Sequence, residues 1–170
     1  MGGGVEAERS AAADLGDALQ AHAPLLLAAA RAITLNEAEA QDLVQTTFEI
    51  ALRHRDQLRS PEALRAWLLR IQSREAFRLV RRLRRLVPLS PGVAEVLVAG
   101  PDLAAAADEG MVVRRALATL PRRMRAAVVL HHLVGLSVAE TSEALGVSEN
   151  TTKTQVRVGL ARLRKELGDG

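Results

Sequence analysis

The chain has 170 residues, of which 48% are hydrophobic but only 2% are aromatic, and its formal net charge is +3. Its core must therefore be built from Leu, Val, Ile and Ala, in one ordinary domain or two small ones. The absence of cysteine excludes disulfides, thiolate metal sites and cysteine nucleophiles. The chain has neither a signal-peptide pattern nor an apolar run long enough to cross a bilayer, so we expect a soluble cytoplasmic protein.

The charges are distributed unevenly along the chain. Residues 1–50 contain 2 basic and 8 acidic side chains, whereas residues 51–90 contain 11 basic and 3 acidic ones. Residues 121–170 are again basic, with 8 basic and 5 acidic side chains. Basic segments suit a polyanionic partner, and an acidic segment suits a basic protein surface.

The first half of the chain predicts a flexible start at residues 1–13 and then helices. Apolar residues at helical spacing predict the first helix at residues 14–33, where Pro24 indicates a kink or a restart. Asn36 is expected to cap a second helix that has acidic residues in its first turn and ends near Leu58.

A third helix carries the densest positive charge of the sequence. Ser60 is expected to cap it, with Pro61 at its first position. Trp67 belongs to its apolar stripe and is expected to lie in the core rather than to stack on a base. Arginines at spacings of three and four share another face of this helix and predict a surface that binds phosphates. This arginine stripe consists of Arg70, Arg74, Arg78, Arg81 and Arg85.

Proline and glycine cluster after the third helix and predict an interdomain linker at residues 87–101. Beyond the linker, apolar residues predict one helix that ends near Thr119 and another that Pro121 opens. The sequence therefore predicts an all-α fold of two small helical domains, at residues 14–86 and 102–170.

The last part of the chain predicts a helix-turn-helix. Ser137 and Glu140 form the S-x-x-E pattern of a capping box, Gly146 suits the left-handed turn, and Ser148 caps the final helix. Such a pair places its second helix in the DNA major groove, although purely structural bundles contain similar pairs.

Two blocks of the sequence resemble the sigma factors of bacterial RNA polymerase. The stretch "LPRRMRAAVVLHHLVGLSVAETSEALGVSENTTKTQVRVGLARLRKEL" is similar to region four of that family. The stretches "AEAQDLVQTTFEIALRH" and "LRAWLLRI" are similar to region two. The blocks occur in the family's order without its third region, which resembles the extracytoplasmic-function group.

The resemblance implies that region two binds the clamp coiled coil of core RNA polymerase and opens the promoter, and that region four reads the upstream promoter element. The residues implied for polymerase binding are Asp42, Leu43, Gln45 and Phe48. Those implied for DNA binding in region two are Arg70, Arg74, Arg78 and Arg81. Those implied for DNA reading in region four are Ser148, Glu149, Asn150, Thr151, Lys153, Thr154, Gln155 and Arg157. Core polymerase and promoter DNA are the expected partners, an anti-sigma factor is a further partner that the resemblance allows, and no cofactor is expected.

The chain departs from the family pattern at several positions of the helix-turn-helix. Thr141, Ser142 and Thr152 stand where the family has apolar residues that seal the two helices together, and a buried unpaired hydroxyl costs roughly 1–3 kcal/mol. Gln155 stands where the family favours arginine. Because glutamine pairs with adenine and arginine with guanine, we expect an upstream element that departs from the usual guanine-rich preference.

Other classes of function find less support in the sequence. No P-loop, dinucleotide fingerprint or nucleophile elbow occurs, so we do not expect an enzyme. His131 and His132 are adjacent and diverge on a helix, so we expect no metal site. The alternative is a DNA-binding regulator that keeps the fold without initiating transcription, and co-elution with core polymerase would separate the two.

Overall fold

The computed structural model describes residues 3–86 and 108–168, with side chains described at residues 14–78 and 110–168. These residues form seven α-helices and no strand, which confirms the all-α prediction. The helices are α1 (Gly3–Thr34), α2 (Glu37–Arg53), α3 (Leu64–Leu86), α4 (Asp108–Ala118), α5 (Arg122–Val128), α6 (Val138–Leu145) and α7 (Glu149–Gly168). The predicted linker at residues 87–101 lies outside the described residues.

Helix α1 is longer than the sequence predicts, because it begins at Gly3 and includes most of the start that we expected to be flexible. Pro24 lies inside it and does not end it. The buried side chains Leu19, Leu26 and Ile33 continue one apolar face across the proline, so tertiary packing holds the helix together there.

The chain turns sharply between α1 and α2 at Leu35, a buried residue with φ of +58°. This left-handed conformation is uncommon for a residue with a branched side chain. The expected cap of α2 is confirmed, because the Asn36 side chain accepts a hydrogen bond of 2.9 Å from the backbone N–H of Glu39. We call Thr34–Asn36 the α1–α2 corner.

The connection from α2 to α3 differs from the prediction. Helix α2 ends at Arg53 rather than near Leu58, and a short 3₁₀ turn follows it. The Ser60 side chain caps no helix: the Ser60 carbonyl accepts a hydrogen bond of 3.1 Å from the backbone N–H of Ala63, in a second 3₁₀ turn that begins at Pro61. Helix α3 therefore starts only at Leu64.

The core of α1–α3 is apolar, with a few polar side chains. Gln72 donates to the Leu26 carbonyl at 3.0 Å, while its Oε1 has no partner among the described residues. Trp67 is buried at 6% exposure, as expected, beside Leu68 and Leu69. The hydroxyl groups of Thr47 and Ser73 donate to carbonyls one turn earlier in their own helices, at 2.7 and 2.8 Å. Buried polar groups with such partners add little cost to the core.

Short helices and well-formed caps build the C-terminal part. Helix α5 continues into a π-helical turn at Val129–Leu133. The predicted capping box is confirmed, with Ser137 and Glu140 each bonded to the other's backbone N–H. Gly146 ends α6 with φ of +65°, and the Ser148 hydroxyl accepts from the backbone N–H of Thr151 at 3.2 Å.

Candidate nucleic-acid and partner interfaces

The surface predicted to bind polymerase lies on α2. Asp42 and Gln45 are exposed and lie one turn apart, and Phe48, one further turn along, is half-buried against the core. Leu43 is different, because only 7% of it is exposed and it packs in the core, where it supports the helix but offers no surface. A charged, an amide and an aromatic side chain thus follow one face, a composition that suits a protein interface.

The arginine stripe begins in a cleft beside the N-terminal half of α3. Arg74 and Arg78 are exposed, and Arg78 pairs with Glu75 one turn earlier at 3.3 Å. Arg70 and Arg74 line a cleft of about 660 Å³ together with Trp67. The α2–α3 connection lines the same cleft through His54, Asp56, Gln57 and Arg59. The side chain of Arg81 lies outside the described residues.

The surface predicted to read DNA lies on the first three turns of α7. Asn150, Lys153, Thr154 and Arg157 are exposed, and we call these four residues the reader face. Glu149 lies 3.7 Å from Lys153, a pair between exposed groups. The other predicted residues Ser148 and Thr151 are exposed at the start of the helix, where each hydroxyl lies 2.9 Å from the other.

The inward face of α7 has the spacing of an amphipathic helix. Val156 is buried, and Leu160 and Leu163 pack partly buried against the core. Gly159 lets α7 approach α5 closely, since a Cβ atom there would lie 2.6 Å from Cγ2 of Val128. The reader face is thus held outward by close packing behind it.

Gln155 lies between the two faces of α7. Its side chain is half-buried, and its Oε1 is buried and has no hydrogen-bond partner among the described residues. The same is true of the hydroxyl oxygens of Thr141 and Thr152, while the Ser142 hydroxyl donates to the carbonyl of Ala139 at 2.8 Å. The seam between the two motif helices therefore contains two buried hydroxyl groups whose hydrogen bonds are not made within the described chain.

Arginine side chains join the two halves of the molecule, a feature that the sequence did not predict. From the C-terminal half, Arg125 donates to the Ile33 carbonyl and Arg114 to the Leu35 carbonyl, both at 2.8 Å. Arg122, only 4% exposed, pairs with Glu39 of α2. These three contacts all lie at or beside the α1–α2 corner.

Further arginine contacts between the halves involve helix α3. Arg65 donates to the carbonyl of Val134, and Arg70 pairs with Glu143 of α6. The guanidinium group of Arg123 lies 5.6 Å from the ring centre of Phe77, within cation–π range. The acceptors at Ile33, Leu35 and Val134 are main-chain carbonyls, which explains why residue patterns alone could not reveal these contacts.

Two carboxyl groups are held charged by local hydrogen bonds. The backbone N–H and the hydroxyl of Ser137 lower the pKa of Glu140, with a smaller contribution from the nearby charge of Arg65. The guanidinium group of Arg31 lowers the pKa of Glu37 in the same way. Both groups stabilise helix starts, Glu140 in α6 and Glu37 in α2.

Comparison with known proteins decides the family. The family described as "Sigma-70 region 2" matches residues 18–86, and the family described as "Sigma-70, region 4" matches residues 110–163. The extracytoplasmic-function (ECF) RNA polymerase sigma factor SigM of Mycobacterium tuberculosis is 33% identical over 82% of this chain and 69% of its own length. The chain belongs to the ECF sigma factors of the sigma-70 family.

Further relatives extend the match to almost the whole sigma factor. RNA polymerase sigma factor NccH of Alcaligenes xylosoxydans xylosoxydans is 30% identical over 92% of this chain and 90% of its own length. The solved structure of sigma factor RpoE from Bartonella quintana, in complex with the anti-sigma factor NepR, gives a TM-score of 0.75 at 26% identity over 91% of this chain and 97% of that one. The structure of CnrH in complex with the cytosolic domain of CnrY gives a TM-score of 0.63 at 27% identity, over 91% and 87% of the two chains.

As a sigma factor, the chain directs transcription initiation, with core RNA polymerase and promoter DNA as partners. This regulatory role agrees with the prediction from the sequence, and nothing favours the alternative of a regulator that does not initiate. None of the helices in the described residues combines the length and the apolar composition that crossing a membrane requires.

Proposed function

We propose that three separate surfaces divide the work of this sigma factor. The exposed face of α2 at Asp42, Gln45 and Phe48 binds core polymerase, the arginine stripe of α3 holds an opened DNA strand, and the reader face of α7 contacts the upstream promoter element. The observation that carries the proposal is the outward position of the reader face on a helix whose opposite face is packed in the core.

The reader face is tested by Lys153→Ala, with Lys165→Ala as the matched control on the same helix. Lys165 is exposed and lies three turns further along the helix. Its substitution therefore removes the same charge at a position away from the proposed groove contact. We expect Lys153→Ala to weaken binding to an upstream-element duplex and to leave core binding unchanged. Equal losses for both variants would mean that the lysine acts only through net charge.

The polymerase surface is tested by Asp42→Arg combined with Gln45→Ala, which reverses a charge and removes an amide at the contact. Asp17→Arg in α1 is the control, because Asp17 is also exposed and undergoes the same charge reversal. We expect weakened co-elution with core polymerase for the double variant only. A helical double variant that binds core polymerase like the parent would exclude α2 as the contact.

The stripe is tested by Arg74→Ala combined with Arg78→Ala. If these side chains neutralise phosphates, the double variant should open promoters less readily and its dependence on salt concentration should be shallower, because fewer counterions are released. Open-complex formation across a salt series measures both. An unchanged slope would identify the stripe as a solvated surface without a DNA contact.

Gln155 is proposed to set the preferred upstream sequence. A bidentate contact to the wrong base differs from the right one by roughly 1–3 kcal/mol, so Gln155→Arg should shift selection toward guanine. Selection of upstream elements from a random library, with parent and variant in parallel, measures the shift. Identical selections would mean that Gln155 keeps its side chain in the seam when DNA is bound.

An anti-sigma factor is proposed as a regulatory partner, and the cytoplasm as the place of action. The support for the first is that both solved sigma factors were determined with an anti-sigma factor or a partner domain bound. The support for the second is that core polymerase is the target. Both proposals are tested by co-purification of the tagged chain from its own cells, with mass spectrometry of the bound proteins.

A further inference from the structure

We propose that Glu149 and Lys153 act as a unit that reads one base pair of the upstream element. Lys153 donates to the guanine of a guanine–cytosine pair, and Glu149 accepts from the amino group of its cytosine. The inference rests on the proposed role of the reader face in DNA binding. It adds to that role the kind of base pair that is selected and the orientation of this pair in the groove.

The two side chains lie side by side at the end of α7 that would enter a groove. Glu149 is the first residue of the helix, and Lys153 follows about one turn later on the same side. In a helix-turn-helix, the first turns of the second helix reach the base edges. The side chains are 54% exposed at Glu149 and 59% exposed at Lys153. Both therefore belong to the surface that meets base pairs rather than to the packed seam.

The start of α7 does not need Glu149 as its cap. The Ser148 hydroxyl already accepts from the backbone N–H of Thr151 at 3.2 Å. A negative charge also favours a helix start, but that effect does not require the charge to face the groove. A carboxylate that faces DNA is repelled by the phosphates, so it weakens binding at every site where it meets no donor. In this position it therefore selects for a base that offers an amino group.

The distance between the two charges matches the distance between two groups of one base pair. Nζ of Lys153 lies 3.7 Å from Oε2 of Glu149, which is longer than the roughly 2.7–2.9 Å of a charge-assisted hydrogen bond. The donors of the lysine and the lone pairs of the carboxylate are thus available to a further partner. In the major groove, guanine O6 and cytosine N4 are hydrogen-bonded to each other and so lie about 3 Å apart.

The order of the two charges sets the orientation of the base pair. Lysine donates to O6 and N7 of guanine, and glutamate accepts from N4 of cytosine. The same pair in the reverse orientation would place the amino group against the ammonium group and O6 against the carboxylate. A thymine toward Lys153 would offer a single acceptor beside a methyl group. We therefore expect guanine on the side of Lys153 and cytosine on the side of Glu149.

The test exchanges the two residues, as Glu149→Lys combined with Lys153→Glu. This exchanged variant keeps the net charge and an ion pair at the same spacing. Its matched control is Arg162→Glu combined with Glu166→Arg, because Arg162 and Glu166 are exposed, opposite in charge and four residues apart at the far end of α7. Each full-length variant is combined with core polymerase, and the probe is a promoter library whose upstream element is randomised.

The parent is expected to select a guanine–cytosine pair at one position, and the exchanged variant the same pair inverted at that position. The control should select as the parent does. The preference for the selected pair over the inverted one should be roughly five- to hundredfold. Glu149→Gln keeps the shape of the side chain and removes its charge. It should lower this preference and raise the affinity for unrelated duplex DNA, because the repulsion from phosphates is lost.

A modified duplex tests the Glu149 contact without the exchanged variant. In it, pyrimidin-2-one, which lacks the amino group, replaces the selected cytosine. The parent should bind this duplex less tightly than the unmodified one, whereas Glu149→Ala should bind both alike, since the two changes remove the same contact. A parent that binds both duplexes equally would overturn the assignment of cytosine to Glu149.

Two further results separate this proposal from its premise. If Lys153→Ala alters the selected sequence while the exchanged variant keeps the pair of the parent, the reader face reads DNA and Glu149 takes no part in the reading. If neither Lys153→Ala nor the exchange alters the selection, the reader face does not read the upstream element at all. Glu149 and Lys153 would then form only a solvated pair on the helix surface.

Discussion

Regions two and four treat their buried hydroxyl groups differently. In region two, Thr47 and Ser73 donate to carbonyls of their own helices. In region four, the hydroxyl oxygens of Thr141 and Thr152 are completely buried and have no partner among the described residues. Since an unpaired buried hydroxyl carries a desolvation cost, we expect the seam between α6 and α7 to be the weaker of the two, although Gln72 Oε1 in region two is likewise buried without a partner among the described residues.

The largest effect on stability is expected from a substitution in the core of region two. Trp67→Ala removes the largest side chain of the region-two core, where it is 6% exposed, and should cost about 3–5 kcal/mol. Hydrogen exchange resolved by peptide should show protection lost first at residues 14–78. If residues 110–168 lost protection first instead, Trp67 would stabilise region four more than the region that contains it.

Gly159→Ala should destabilise region four, because it disturbs the close packing of α7 against α5. Its added Cβ would lie 2.6 Å from Val128 Cγ2 and 3.1 Å from Met124 Cγ, so we expect a cost of roughly 1–3 kcal/mol from overpacking. Thermal unfolding measures it. Gly16→Ala in α1 is the control, because nothing lies within 4 Å of its added Cβ and alanine favours the helix. A neutral Gly159→Ala would mean that the two helices move apart without cost.

Thr152→Val should sharpen the comparison by stabilising region four. Replacing an unpaired buried hydroxyl by a methyl group of similar shape removes a desolvation cost of about 1 kcal/mol or more. Thr47→Val in region two removes a hydroxyl that is hydrogen-bonded at 2.7 Å, and should be neutral or destabilising. Opposite signs in chemical denaturation support the comparison, and a destabilised Thr152→Val would show that the hydroxyl has a partner in solution.

The smallest effect concerns the capping box at the start of α6. The Glu140 pKa lies below its ordinary value of 4.5, so its charge stabilises the fold above that pH, and the contribution is lost as the pH falls through the lowered pKa. Because Glu140 is exposed and screened by solvent, Glu140→Gln should cost only about 0.5 kcal/mol at neutral pH. Melting temperatures of parent and variant should converge as the pH drops below 4.5. A difference that persisted there would indicate a role of Glu140 other than its charge.

Local features of the fold were predictable from sequence because their causes are local. Asn36, Ser137, Gly146 and Ser148 mark helix ends through their own side chains or backbone freedom, and each was confirmed. Ser60 failed as a cap because the backbone after it forms a 3₁₀ turn, so its carbonyl rather than its hydroxyl takes part in the turn.

The candidate surfaces were only partly predictable. Helical spacing separated the exposed Lys153 from the buried Val156 correctly, but it could not show that Gln155 has a buried oxygen. The pairing of Arg70 with Glu143 joins residues 73 positions apart through a contact between two helices. Such a contact depends on how the domains pack, which neither periodicity nor family resemblance specifies.

The hydrogen bonds at the α1–α2 corner limit which mutations can change the contact between the two halves of this sigma factor. The carbonyls of Ile33 and Leu35, at the end of α1 where the helix leaves its own acceptors unpaired, receive Arg125 and Arg114. Every amino acid supplies the same carbonyl, so a point mutation at Ile33 or Leu35 leaves the acceptor atom in place. Inherited change in the strength of this contact is therefore expected in the arginine codons of region four, and a genetic selection for weaker packing between the two halves should recover mutations at Arg114 and Arg125.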